Sequence, residues 1–189
     1  AMIMGLAGLT VAWNRAEQIF GLGFSVSSFL LPLAAGLFLV LAVLLAAKAI
    51  LYPQELLAEI GHPVKLAFVP TVSVAMILLS VAFLHSAPTV SFWLWSAGSI
   101  LHLALTLYVL SSWIHHTKYE ITHLNPAWFI PVVGNVLAPL GGVPLGLGAW
   151  ATAQFGVGLF LWPVLVVLLV VRMVESGPLP PKMAPTLFV

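Results

Sequence analysis

Long apolar runs recur along the whole chain, and the short loops between them hold most of the polar residues. The chain is 62% hydrophobic and carries only six Lys or Arg and five Asp or Glu in 189 residues. A soluble domain of this size has too little interior to hide so much apolar surface from water. We therefore expect a polytopic membrane protein whose helices cross a lipid bilayer.

The apolar runs predict an all-α transmembrane helical bundle built of helix hairpins, with about six spans and the start of a seventh. The predicted spans are Ala1–Phe20, Val26–Leu51, Val64–His85, Val90–Trp113, Pro126–Val143 and Leu147–Arg172. They form one transmembrane domain over residues 1–189, with hairpins at 1–51, 64–113 and 126–172 and a seventh helix starting at 181–189. We expect both ends of this sequence to be cuts in a longer pattern of helices.

The basic residues predict the orientation of the spans. Five of the six Lys and Arg lie at ends and loops on one side, namely Lys48, Lys65, Lys118, Arg172 and Lys182. The positive-inside rule places that side, together with the N-terminus, in the cytoplasm of a bacterial inner membrane. Five tryptophans near span ends are expected to be interfacial anchors: Trp93, Trp95, Trp113, Trp128 and Trp150.

Prolines recur in alternate spans, which indicates an internal repeat of hairpins. Pro63, Pro126 and Pro181 stand at cytoplasmic helix starts, where proline is well tolerated. A second set, Pro70, Pro131 and Pro185, lies deeper, and Pro70 is ~10 Å beyond Pro63 along a helix. Proline inside a helix removes a hydrogen bond and bends the axis. We expect these prolines to kink inner spans around a central pore, because freed backbone groups at membrane depth are tolerated where they line a cavity.

Several polar residues are candidates for the path and its mouth. Thr71 and Asn135 are candidate pore-lining residues. The alternative for Asn135 is that its buried amide forms hydrogen bonds with a neighbouring helix instead of facing a water-filled cavity. The candidate cytoplasmic mouth consists of His62, Lys65, Asn125 and Lys182. The two lysines either raise the local anion concentration or reflect only the positive-inside bias.

The sequence argues against several other classes of function. It has no cysteine, no paired carboxylates and no phosphate-binding or metalloprotease motif, so neither an enzyme nor a metal or other cofactor is expected. A net charge of +1 offers no basic face for nucleic acid. His85 and His102 stand at different depths, which argues against a haem between them. His102 is expected to be a neutral histidine bonded across helices or subunits rather than a proton relay.

Three stretches resemble one known family. They are residues 5–9 (GLAGL) with Trp13, residues 62–70 (HPVKLAFVP) and residues 125–135 (NPAWFIPVVGN). Together they resemble the tellurite-resistance/dicarboxylate transporter family, which includes bacterial TehA and the plant slow-type anion channels. The resemblance implies ten spans in five hairpins, kinked odd-numbered inner helices around a pore, and homotrimers. The family's gating phenylalanine lies on the ninth helix and has no counterpart among these residues.

The expected function is therefore a membrane channel or transporter for small anions. The resemblance implies chloride, nitrate, or anions of the dicarboxylate, sulfite or tellurite type. Two alternatives remain open at this point. A proton-coupled exporter would couple anion flux to a pH gradient, with His102 as its candidate relay, and a structural or haem-bearing membrane subunit would carry no flux.

Overall fold

Seven α-helices and two short 3-10 segments make up the part of the chain that the structure describes. The computed structural model describes residues 2–21, 23–62, 64–115 and 124–176. The α-helices are α1 (Met2–Phe20), α2 (Ser27–Leu51), α3 (Pro53–Gly61), α4 (Thr71–Phe83), α5 (Pro88–His115), α6 (Ile130–Gly142) and α7 (Gly148–Ser176). The 3-10 segments, Leu66–Phe68 and Pro126–Phe129, precede α4 and α6. The predicted seventh helix, Pro63, Lys182 and Pro185 lie outside the described residues.

Four helical segments within the described residues are long and apolar enough to cross a membrane: Ser27–Leu51, Leu66–Phe83, Pro88–His115 and Gly148–Glu175. A fifth apolar segment, Pro126–Gly142, is shorter. The first helix has the length of a span, but Asn14, Arg15, Glu17 and Gln18 near its end lower its mean hydropathy. An all-helical membrane protein is confirmed, and the count of six spans stays a prediction.

The helices pack as consecutive pairs, α1 with α2, α4 with α5 and α6 with α7. The first members of the pairs also contact one another in the order α1, α4, α6. In the spanning segment Leu66–Phe83, 56% of the most apolar window is buried, against 6% in α2. The contacts therefore define an inner row, α1, α4 and α6, with α2, α5 and α7 as outer partners. Burial supports this for α4 and α6, whereas α1 buries only Ala7 and Thr10. The outer helices expose apolar side chains on their outer surfaces.

Small residues allow the inner and outer helices to approach closely. A Cβ on Gly98 of α5 would lie 2.8 Å from Met76 Cβ of α4. A Cβ on Gly158 of α7 would lie 2.9 Å from the backbone nitrogen of Val136 of α6. Without a hydrophobic effect between helices in lipid, such close backbone packing supplies much of the attraction.

Two local differences from the sequence expectations have simple causes. The segment after α2 was expected to be a loop, but Pro53–Gly61 is a helix, with proline in its first turn and Glu55 near its N-terminus. Both are helix-start signals. Trp95 was expected at the membrane interface, but it is only 1% exposed and its indole Nε1–H donates to the Ala138 carbonyl at 2.9 Å. This hydrogen bond lets the indole sit in the packed interior.

Candidate functional site

The two inner spans α4 and α6 begin in the same way, with a 3-10 segment followed by an α-helix. Pro70 is the residue immediately before α4, and Pro131 is the second residue of α6. Each proline therefore stands at the change from a 3-10 segment to an α-helix, where the first N–H groups of the α-helix have no partner within it. The kinks expected at these prolines stay a prediction. The helix-interior prolines among the described residues are Pro32, Pro139 and Pro163. Two of these, Pro32 and Pro163, lie on the outer helices α2 and α7.

A buried polar junction joins α4, α5 and α6 next to these prolines. It centres on His102 of α5, whose Nδ1 lies 2.9 Å from Ser73 Oγ of α4 and whose Nε2 lies 3.0 Å from the Pro131 carbonyl oxygen of α6. Ser73 Oγ also lies 2.8 Å from the Pro70 carbonyl oxygen. The imidazole therefore links the Ser73 side chain of α4 with the Pro131 backbone of α6, as the prediction of an interhelical histidine required.

Hydrogen-bond chemistry fixes the protons in this junction. A carbonyl only accepts, so His102 Nε2 carries a proton and donates to the Pro131 oxygen. In the neutral imidazole Nδ1 then accepts, and the single hydroxyl proton of Ser73 donates to it. With two helices bonded to the two ring nitrogens and no exposed surface on His102, the junction supports an interhelical tie.

The Pro131 carbonyl oxygen also accepts hydrogen bonds from other side chains. Thr106 Oγ1 of α5 donates to the Pro131 oxygen at 2.7 Å, and Asn135 Nδ2 donates to it at 2.9 Å. Asn135 Nδ2 also donates to Thr106 Oγ1 at 2.9 Å, while Asn135 Oδ1 has no hydrogen-bond partner among the described residues. Protein groups thus satisfy the amide nitrogen of the predicted pore-lining residue. Its oxygen keeps hydrogen-bonding capacity for a water or another donor.

Gly134 makes the approach of α5 to α6 possible. A Cβ on this residue would collide with the Cε1 and Nε2 atoms of His102 and would lie 2.7 Å from Val74 Cγ2. The residue stands one position before Asn135 in the stretch that most strongly carried the family resemblance. We infer that the imidazole of His102 can reach the Pro131 carbonyl only because residue 134 has no side chain.

The predicted cytoplasmic mouth is partly assembled at the starting end of α4 and α6, where the two 3-10 segments contact each other. Asn125 is buried and caps the second segment by accepting from the Ala127 backbone N–H at 3.0 Å. His62 is exposed, and its Nδ1 accepts from the Val64 N–H at 3.2 Å. Lys65 is exposed as well, with its Nζ 3.5 Å from Glu59 Oε1. Of the predicted mouth residues, the described His62, Lys65 and Asn125 therefore lie at one end of the molecule, where Asn125 acts as a cap. Their role at a mouth stays a prediction.

Thr71 lies where α4 faces α2 and, through Ile3, the start of α1. Its hydroxyl donates to the Phe68 carbonyl at 2.7 Å, and its side chain lines two apolar clefts that α2 also lines. Its pore-lining role, like that of Asn135, stays a prediction.

A mostly apolar cleft with a few polar side chains, which the sequence reasoning missed, lies at the other end of the inner helices. It has a volume of about 570 Å³ and is lined by the C-terminal ends of α1, α4 and α6. Asn14, Arg15 and Gln18 line it from α1, and His85 lines it from the end of α4. The polar residues near the end of α1 were the available signal, but the sequence did not show which helices they would face.

Metal binding finds no support in the residues that the structure covers. No group of three or more His, Asp or Glu side chains within them is placed to hold an ion.

Comparisons with known proteins identify the family of this chain. The family profile described as a voltage-dependent anion channel (SLAC1) matches residues 1–189. An uncharacterized transporter of Methanocaldococcus jannaschii is 29% identical over 201 residues, covering 100% of this chain and 59% of the relative. A tellurite resistance protein TehA homolog of Haemophilus influenzae is 26% identical, covering 84% of this chain and 49% of the relative.

The plant S-type anion channel SLAH2 of Arabidopsis thaliana is also similar. It is 23% identical over 197 residues, covering 99% of this chain and 37% of the relative. The chain thus spans from about a third to three fifths of the length of these three relatives.

Proposed function

The chain belongs to the voltage-dependent anion channel family, and on that premise we propose that the complete protein passes small anions across a membrane along a path flanked by α1, α4 and α6. The observation that carries the proposal is the spatial order of these helices. Three segments that are separated in sequence by outer helices contact one another in one row, each with its own outer partner. That is the packing that part of a ring of hairpins requires.

The charge distribution supports anions as the cargo. The helices α4, α5 and α6 contain no Asp, Glu, Lys or Arg. Among the described acids, Glu59 is engaged by Lys48 at 2.6 Å, and Glu17 accepts from Ser27 Oγ at 2.6 Å. A path of this kind repels an anion little and holds it weakly, and weak binding is what conduction needs.

We propose passive passage rather than coupling to protons. A relay needs an ionisable group that exchanges protons with water on both sides. His102, the candidate relay, is fully buried with its two ring nitrogens engaged by Ser73 and Pro131. This arrangement supports a structural tie between inner helices and does not favour the exporter.

The finer features of the proposal rest on family analogy and on the basic residues. We propose chloride, nitrate or small dicarboxylate, sulfite or tellurite-type anions as cargo. Within a bacterial inner membrane we propose a homotrimer, with the N-terminus and Lys65 on the cytoplasmic side. The apolar outer faces of α2, α5 and α7 are suited to contact with lipid or a second copy.

The direct test is reconstitution of the complete protein in liposomes, with nitrate or chloride flux measured with and without a pH gradient. We expect flux that follows the anion gradient and is indifferent to the pH gradient. Flux that requires the pH gradient would replace the channel by the exporter. Absence of flux from protein shown to be folded would remove both.

A further inference from the structure

We propose that Arg15 recruits small hydrated anions into the 570 Å³ cleft at the mouth opposite Lys65. This inference rests on the proposed function and assigns it a charged entry residue at the end where the sequence predicted none. The cleft is bounded by the ends of the three inner helices, so an ion within it stands on the proposed path. Its volume corresponds to roughly twenty water molecules, which is enough for a hydrated inorganic anion.

The side chains of α1 divide according to charge. Glu17 faces α2, where it accepts from the Ser27 backbone N–H at 2.9 Å and from Ser27 Oγ at 2.6 Å. Arg15 precedes it by two positions, so the two side chains leave the helix ~200° apart. Arg15 therefore points into the cleft while the nearest carboxylate is held on the opposite face of α1.

The guanidinium remains available to a ligand. Its one hydrogen bond among the described residues is donated from Nη1 to Gln18 Oε1 at 3.1 Å. The salt bridges found in residues 2–21, 23–62, 64–115 and 124–176 join Glu59 to Lys48 and Lys65, and none involves Arg15. A guanidinium offers five N–H donors, so most of its capacity is open to an anion. Asn14 and Gln18 add amide groups on the same wall.

Helix dipoles make a cation necessary at this end. The cleft lies at the C-terminal ends of α1, α4 and α6, whose last carbonyls carry partial negative charge. These ends repel an entering anion, whereas the opposite mouth has the positive N-terminal ends of α4 and α6. Arg15 supplies the full positive charge that offsets the carbonyls. Without it this mouth would favour cations.

The test compares Arg15→Gln and Arg15→Lys with the unmodified complete protein in liposomes, measuring chloride flux in about 10 mM and about 1 M salt. A unit charge ~6 Å from an ion in water changes the local ion concentration about threefold. We expect Arg15→Gln to lower flux about threefold at 10 mM, where the Debye length is ~30 Å, and to leave it unchanged at 1 M, where it is ~3 Å. Arg15→Lys should retain the flux at both salt concentrations.

A charge-moving variant controls for structural damage. Arg15→Gln combined with Gln18→Arg places the guanidinium one turn along the same wall, and we expect it to recover the low-salt flux. Three results would overturn the assignment of Arg15. The first is equal flux from Arg15→Gln and the unmodified protein at 10 mM salt, and the second is an equal loss of flux at both salt concentrations. The third is a double variant that does not recover the low-salt flux. Absence of flux from the unmodified protein would instead refute the proposed function.

Discussion

The close approach of α5 to α6 makes a specific prediction for Gly134→Ala. The added methyl group would strike the imidazole of His102 and lie 2.7 Å from Val74 Cγ2. Overpacking of this kind costs about 1–3 kcal/mol. Displacing the imidazole from the Pro131 carbonyl costs about 1 kcal/mol more. The higher helix propensity of alanine returns about 1 kcal/mol. We expect a net loss of about 2 kcal/mol in the free energy of unfolding, roughly a 30-fold change in the unfolding equilibrium.

The matched control is Gly156→Ala on α7, where a Cβ meets no atom within 4 Å. We expect this variant to be neutral or stabilised by up to about 1 kcal/mol. Denaturant unfolding in detergent, followed by tryptophan fluorescence, measures both variants in the complete protein. A transition of Gly134→Ala at the control's midpoint would refute the packing described for α5 and α6.

A double-mutant cycle separates the imidazole from other contacts. In a His102→Ala background the ring is gone, and only the Val74 contact opposes the methyl group of Gly134→Ala. We expect the cost of Gly134→Ala to fall there by at least about 1 kcal/mol. Equal costs in the two backgrounds would show that the methyl group and the imidazole do not meet.

Two further predictions concern other parts of the chain. Trp95→Phe removes the hydrogen bond to the Ala138 carbonyl, so it should lower the free energy of unfolding by about 1–3 kcal/mol. The control Trp93→Phe, at an exposed position, should change the free energy of unfolding by no more than about 0.5 kcal/mol. Equal melting curves for the two variants would contradict the buried role of Trp95. The hydrogen bond from Lys48 lowers the pKa of the Glu59 carboxyl from its ordinary value. The contribution of this ion pair to the docking of α3 should therefore be present above about pH 4.3 and be lost as the pH falls through the lowered pKa. Hydrogen exchange of α3 between pH 6 and 3 measures this, and persistence of the same transition in Glu59→Gln would contradict it.

The sequence predicted the fold class and the family because both depend on patterns repeated along the chain. Apolar length indicates spans wherever they lie, and the motif at residues 125–135 carried a resemblance that the comparisons confirm. Most helix starts were accurate to within a few residues, as for α5, which begins at Pro88 instead of Val90. The α-helix α4 is the exception, because it begins at Thr71 instead of Val64. Such features require no knowledge of which helix contacts which.

The site depended on tertiary contacts and was therefore only partly predictable. Membrane depth indicated that His102 needs an interhelical partner, but nothing in the sequence identified Ser73 as its hydrogen-bond donor and the Pro131 carbonyl as its acceptor. Proline spacing predicted interior kinks, whereas 3-10 segments place Pro70 and Pro131 at helix starts. Arg15 was not among the residues predicted for the path, because its cleft forms only when three helix ends meet.

The central claim, that α1, α4 and α6 flank a water-accessible anion path, is tested most directly by single cysteines in the complete protein. This chain has no cysteine of its own, so each reporter within it is unique. Ala82 of α4 lines the cleft between the inner helices, and Val43 of α2 is 66% exposed on the apolar outer surface. We predict that a charged, water-soluble thiol reagent modifies Ala82→Cys and lowers anion flux, while Val43→Cys remains unmodified with unchanged flux. An unreactive Ala82→Cys, or flux that is indifferent to its modification, would contradict the account.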